Sequence, residues 1–384
     1  MQRREPNTFM RNETLISTLI ILLLGCPVFC QETAPPARVQ TPRPPSPARP
    51  EVAPGATPEA RAQKIEQAHV EPISVKLIRG GKVAISNRSG RIVVSGWDRD
   101  IVQASATGEN GAAPLVTETT GDPTRPRLLV TTSPHRYGRN ISIDLKVPRY
   151  ADVETLEGSH GEVEIADIEG STLIGAGDGD VKAARVTSIK VARRRGDITV
   201  REAKGDLTGR SFNGSIFAEN VHGSVDVAAA NGDLRVRNAG GDVRANSATG
   251  EIEVRCAKGR AEVSSASGSI TLIGVAGDAE ASTASGDVIF KGAIRGGTYR
   301  LKSLSGDVSM TIQPDVPGFS ATLTTYSGKI DTDFPLKVDS PLQGPINRRI
   351  TGRYGKGEAK IALDSFNGEV KILKGTTADL KQCE

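Results

Sequence analysis

The chain has 384 residues, with 49 Lys and Arg set against 45 Asp and Glu, for a formal net charge of +4. That near balance argues against a dedicated nucleic-acid binder. Aromatic residues make up only 4% while glycine reaches 42 residues, so any core must be assembled from Val, Ile, Leu and Ala in small units rather than around large rings.

Thr14 to Gly25 (TLISTLIILLLG) form a short apolar run behind Arg3, Arg4 and Arg11, which predicts a signal peptide over residues 1–30. The run is shorter than the ~20 residues of a membrane-spanning helix. Met10 offers a second start, with a leader beginning MRNETL. Two processing readings stand open. Cleavage after Cys30 would use Pro27 as the helix breaker, with Val28 and Cys30 before the cut. Alternatively, Leu23-Leu24-Gly25-Cys26 resembles a lipobox, apart from Leu24 and the following Pro27, and would make Cys26 a lipidated first residue. Both imply export, to the periplasm, outer membrane or cell surface, and confine membrane contact to a lipid anchor or an uncleaved leader.

Residues 31–70 are dense in Pro, Ala and Arg and poor in aliphatics, as in TPRPPSPARPEVAPGATPEARAQ. Such a segment buries too little apolar surface to offset its ordering entropy, so a disordered, extended linker is expected. From Ile73 onward, alternating segments such as ISVKLI, KVAISN, RIVVSGW and IVQASAT read as short strands divided by Gly, Asn and Asp. The folded part is expected over 71–375, with 376–384 as a tail.

Within it, SFNGSIFA, AANGDLRV, SATGEIEV, SASGSITL and TASGDVIF place Gly214, Gly232, Gly250, Gly268 and Gly286 at steps of 18. Gly161, Gly179 and Gly196 continue the series upstream, and Gly306, Gly328 and Gly368 extend it downstream. A second set, Gly205, Gly223, Gly241, Gly259 and Gly277, falls halfway between, so each period is two nine-residue halves of one strand and one turn. Period-two alternation turns Val181, Ile198, Ile216, Leu234, Ile252, Ile270, Val288 and Val308 inward. The predicted fold is all-β, a parallel β-solenoid or β-helix with coils of about 18 residues. One coil cannot bury enough to fold alone, so coils must stack. The column Asn213, Asn231, Thr249, Ser267, Ser285, Ser305, Ser327 and Asn367 is expected to form a polar ladder along one turn.

Candidate chemistry is sparse. The four cysteines show no metal-ligand spacing; Cys256 follows Ile252 and Val254 at period two and reads as a small buried thiol. Arg193, Arg194 and Arg195 sit before Gly196 and form a candidate anion-binding patch for glycans or lipid head groups, against the plainer reading of a solvated turn. Arg195-Gly196-Asp197 is an integrin-type tripeptide whose Gly and Asp belong to the repeat template. Asp178 and Asp180 come nearest to a calcium-binding repeat, but the other coils lack the glycine density of such a ladder. Glu262 and Glu280 are the one carboxylate pair placed to stack for acid-base chemistry, with a solvated face as the alternative. His69, His135, His160 and His222 lie in separate segments, and outward Phe217 and Ile289 could seed a binding patch. No cofactor is expected.

The [ST]-x-[SN]-G-[DE]-[VI] segments, GRIVVSGWDRD around Trp97, and the closing FPLKV and RITGRYGKGEAKIALDSFNGEVKI resemble a bacterial adhesin-like family of unknown function over roughly Ile73 to Leu373. The resemblance implies a β-solenoid domain and supplies no catalytic residues. The expected function is a non-enzymatic cell-envelope scaffold or binding protein for an unknown glycan or protein ligand. A carbohydrate-active β-helix enzyme and a self-associating structural module are the alternatives.

Overall fold

The computed structural model describes residues 72–109, 111–132, 140–156, 158, 160–342, 348–376 and 383. The leader with Cys26 and Cys30, the linker, His69 and His135 fall outside the described residues. Among the described residues there is no helix, and the strands join into one hydrogen-bonded array.

The repeat forms as its spacing requires. Ile252–Ala257 and Ala261–Ser267 make the two strands of one coil, and each pairs in parallel with its counterpart one coil away. The register is strictly by repeat: Ile198 faces Ile216, which faces Leu234, then Ile252, Ile270, Val288 and Val308. Every member of that column is buried. The solenoid thus has two faces, the first built on strands such as Ile216–Val221 and the second on strands such as Val225–Asn231. In the coils from Leu207 to Ser285 the second face contributes smaller core residues than the first, such as Ala229, Ala245 and Ala261. Interdigitation of large against small keeps the narrow interior filled.

Two polar devices explain the Gly-Asp signature. At the first turn the glycines take left-handed backbone, as at Gly250 (φ 135°), where a Cβ would collide with the Gly232 carbonyl of the coil beneath. In most coils the residue after such a glycine then accepts the same residue's N–H from the next coil, as Asp197 does from Ser215 (2.8 Å) and Asp307 from Glu369 (2.8 Å). Asp206, Asp242 and Asp278 do the same at the second turn. These carboxylates satisfy backbone donors that a tight turn leaves over. The polar ladder also forms: Asn231 donates to Asn213 and Thr249 donates to Asn231, each at 2.8 Å.

Alternation fails at the second corner. Asp167, Arg185, Glu202, Asn220, Asn238 and Cys256 all have positive φ, between 53° and 62°. A left-handed non-glycine residue is unfavourable by about 1 kcal/mol or more. Here it is held because it returns the following residue, Ala203, Val221, Ala239 or Ala257, to the core. Cys256 is therefore not the buried thiol its spacing predicts; the kink swings it outward to half exposure, where it forms a disulfide with Cys383 across 127 residues, Cα to Cα 5.3 Å. The seventh corner residue is Gly274 (φ 65°), and a Cβ there would overlap the Cys383 sulfur.

Both ends depart from sequential stacking. Tyr299–Leu301 of one coil pair with Ile361–Leu363, and Val308 pairs with Val370, so the coil carrying Gly368 seats on that of Gly306. The Gly328 coil lies beyond it, on Gly368, reversing the order of the last two glycines. Antiparallel strands Arg348–Gly355 and Lys337–Leu342 then finish that end of the second face. At the other end, Ile92–Trp97 lies between Val163–Ala166 and the later strand Ser142–Pro148, beyond which Ile101–Gly108 runs antiparallel.

Candidate functional site

The Arg193 to Arg195 stretch ends the strand Val181–Arg195 instead of lying in a turn, and its three guanidiniums do not share one surface. Ile189 and Val191 point inward, and Arg193 continues their period with 3% exposure. Its register partner is Ser211, whose hydroxyl reaches the Gly196 carbonyl; Ser247, Thr283 and Ser303 repeat that bond in their own coils. Arg193 instead leaves Nε, Nη1 and Nη2 without a hydrogen-bond partner among the described residues. Burial pushes its pKa down, against the opposing attraction of Asp178 and Asp180. Arg194 and Arg195 both approach one oxygen of Asp178, at 3.4 and 3.3 Å, and His160 lies 3.2 Å from the same atom. This cluster extends the polar ladder downward through Ser89, His160, Asp178 and Arg195. Asp197 of the Arg-Gly-Asp triplet accepts the Ser215 N–H, so its carboxylate belongs to the turn.

Glu262 and Glu280 do stack in register, but each is drawn aside by its own arginine: Arg244 at 3.1 Å and Arg260 at 2.7 Å. No group of His, Cys, Asp and Glu among the described residues is arranged to hold a metal ion. His222 turns its Nδ1 to the Ala203 carbonyl, 3.2 Å away. Asp180 accepts the Asp197 N–H at 2.9 Å, the same turn role as its counterparts.

The first face carries a different arrangement, which only the stacking reveals. Its outer columns run Asp144, Val93, Glu164, Lys182, Thr199, Phe217, Arg235, and beside them Lys146, Ser95, Ala166, Ala184, Arg201, Glu219, Arg237. The small residues Ser95, Ala166 and Ala184 leave a trough between larger neighbours, a groove of about 460 Å³ walled by Glu164, Lys182 and Arg201. A second depression of about 290 Å³ shares Val93 and Ser95 with it and continues to Asp144 and Lys146. Four strand steps of ~4.8 Å separate Lys146 from Arg201, about 19 Å.

Each end of the trough pairs a cation with an aromatic ring. Lys146 lies 5.8 Å from the Trp97 ring, whose Nε1 is held by the Ile101 carbonyl. Arg201 and Arg237 lie 5.9 and 5.6 Å from the Phe217 ring. Along the wall, Glu164 is met by Arg91 (2.5 Å) and Lys182 (3.7 Å), and Glu162 by Lys182 (2.6 Å); the Lys182 hydrogen bond holds the Glu162 pKa down. Nearby, at the second corner, Arg185 and Asp167 form a two-pronged ion pair (2.8 and 2.8 Å), and this bond holds the Asp167 pKa at about 2. A separate depression of about 630 Å³ follows that corner past Asn220, His222, Asn238 and Lys258 to the disulfide.

No curated protein matches the chain. Among solved structures, it is similar to a candidate cell adhesion protein from Clostridium sporogenes, at 7% identity over 79% of this chain and 100% of that one, with a TM-score of 0.18. It is also similar to a candidate adhesin from Bacteroides fragilis, at 11% identity over 79% and 96% of the two chains, with a TM-score of 0.22. The family model Toastrack DUF4097 matches residues 136–373, which is more than half of the chain and includes all the regular coils. The chain belongs to the Toastrack DUF4097 family.

Proposed function

We propose that the chain is an exported, non-enzymatic, adhesin-like scaffold of the cell envelope that offers the outer faces of its solenoid to a ligand. The observation that carries the export half is the Cys256–Cys383 bridge, because such cross-links persist in oxidising compartments and are rare in the cytosol. It agrees with the apolar run Thr14 to Gly25 behind three arginines. The scaffold half is supported by the outer face itself. The carboxylates nearest to a catalytic pair, Glu262 and Glu280, are each tied to an arginine, and the turn aspartates are occupied by backbone N–H groups.

Fractionation of cells producing the full chain, combined with external protease and thiol labelling, tests this. The expected result is a protease-accessible or periplasmic protein with Cys256 and Cys383 unreactive until reduced. Recovery in the cytoplasm with both thiols free overturns it. Metabolic lipid labelling of wild type and Cys26→Ser, with N-terminal sequencing of the mature protein, separates the leader readings: label lost in the variant assigns Cys26 as the anchor, and an unlabelled wild type whose first residue is Gln31 assigns cleavage after Cys30.

A further inference from the structure

We infer that the trough on the first face, between Lys146 with Trp97 and Arg201 with Phe217, is a binding groove for an acidic glycan, a sugar chain carrying carboxylate groups. This names a ligand class for the scaffold proposed above, and rests on that reading only for where the ligand is met. Three observations combine. The groove is concave and continuous over two depressions of about 460 and 290 Å³, within the size range of small-ligand sites. Its floor of Ser95, Ala166 and Ala184 leaves room for a chain lying across the stacked strands. Between the strands of Asp144 and Arg235, the two outer columns carry five cations against three carboxylates; Lys182 and Arg235 are taken by Glu162 and Asp233 beside the columns, so the surplus open to an anion is Lys146, Arg201 and Arg237.

The placement of that surplus narrows the class. Glu164 in the wall is already engaged by Arg91 and Lys182, so it repels an incoming anion less than a free carboxylate would. Among the described residues Lys146 has a ring contact and no ion pair, and the same holds for Arg237, whose buried Nε has no hydrogen-bond partner there. Arg201 is 62% exposed, with its nearest carboxylate, Glu219, at 3.6 Å. A guanidinium or ammonium beside an aromatic ring suits a sugar ring bearing a carboxylate: the charge meets the anion and the aromatic ring meets the C–H face of the sugar. Ser95, Ser105, Gln103 and Thr199 line the same depressions and can exchange hydrogen bonds with hydroxyl groups. A highly charged phosphate polymer fits less well, because Asp144, Glu164 and Glu219 lie in the same columns.

Calorimetric titration of the full chain with oligogalacturonate and alginate oligomers, a neutral cello-oligosaccharide of equal length and a single-stranded oligonucleotide provides the test. The acidic oligomers should bind and weaken as salt is raised. Ala184→Trp, which fills the floor from its outer side, should abolish the signal. Arg201→Gln and Lys146→Gln should each weaken it about tenfold, while Arg201→Lys retains part of it. Circular dichroism confirms that each variant folds. The inference is overturned if neither acidic oligomer binds, if the neutral chain or the oligonucleotide binds as well, or if a folded Ala184→Trp variant binds unchanged. Because purified protein is used, such a failure leaves the localisation result standing, and a cytoplasmic location leaves the groove standing.

Discussion

Replacing Cys383 by Ser should uncouple the C-terminal coils from the rest of the solenoid. The bridge closes a loop of 127 residues, and the loss of closure entropy in the unfolded chain puts its contribution at about 5 kcal/mol, an upper figure for a repeat protein that opens in parts. Strands Val288–Gly292, Val308–Ile312 and Val370–Lys374 lie within that loop, whereas Val225–Asn231 lies outside it. Urea unfolding followed by circular dichroism should show a lower midpoint for Cys383→Ser, and hydrogen exchange should rise in the first three strands before the fourth. Reduction of wild type should reproduce the variant, and reduction of the variant should change nothing. Gly274 supplies an internal control, because a Cβ there overlaps the Cys383 sulfur. Gly274→Ala should therefore be costlier in wild type than in Cys383→Ser, where only the backbone strain at φ 65° remains. An unfolding free energy for Cys383→Ser within about 0.5 kcal/mol of wild type, with unchanged exchange, refutes the cross-link as a structural tie.

Arg193→Met exchanges an unpartnered buried guanidinium for an apolar side chain of comparable length, and stability should rise by about 1 kcal/mol or more; calorimetric unfolding showing a loss instead would mean that Asp178 and Asp180 already compensate the charge. Asp167 has a folded pKa of about 2, below the ordinary aspartate value, so its stabilisation is complete above about pH 4 and lost as pH falls toward 2. Carboxyl carbon NMR should show Asp167 titrating closer to the ordinary range in Arg185→Ala, and the acid-unfolding midpoint should move to higher pH in that variant. Gly250→Ala places a Cβ against the Gly232 carbonyl at φ 135° and should destabilise by at least about 2 kcal/mol in urea; a loss under 0.5 kcal/mol would show that the turn can shift freely.

The regular coils were legible because one residue class recurs at one place for one reason. Gly214 to Gly286 mark the first turn, where a Cβ has no room, and the inward column beginning at Val181 needs only aliphatic alternation. The second corner carries no such mark. Asp167, Asn220 and Asn238 are types that tolerate left-handed backbone, but Arg185, Glu202 and Cys256 are not, so the corner shows no constant residue and period two extended through it put Cys256 inside. Its partner lies one residue from the chain end, where no repeat signals its position. Arg193 is the opposite case. Ile189 and Val191 already placed it inward by the same alternation, but three successive arginines before a glycine read as a solvated turn. The groove on the first face was hidden for a third reason: Ser95, Ala166, Ala184, Lys146 and Arg201 span more than a hundred positions and become neighbours only when the chain threads Ser142–Pro148 beneath Ile92–Trp97.

That threading also bears on where the solenoid can meet other molecules. A parallel stack that ended on a regular coil would present a full row of unpaired N–H and C=O groups, a template for another chain. Here three of the four described edges do not continue the repeat, and the fourth, Ile330–Thr332 on the first face, is a parallel strand of only three residues. On the first face Ile101–Gly108 runs antiparallel to Ser142–Pro148, with Ile73–Lys76 antiparallel beyond it. On the second face Leu115–Asp122 runs antiparallel to Arg125–Thr132 at one end, and Lys337–Leu342 runs antiparallel to Arg348–Gly355 at the other. The last of these carries Pro341, which has no N–H to donate, and its register shifts between Val338 and Ser340. A second copy approaching end-on would meet mismatched direction and spacing at those three edges, and an open parallel register only along the three residues Ile330–Thr332. The sides offer what the ends do not: stacked columns at a fixed ~4.8 Å step, whose chemistry changes from coil to coil without disturbing the core. Variation in outward residues can therefore alter a ligand site at little cost to folding, as the exchange of Ala184 for Arg201 one strand on already does along the trough.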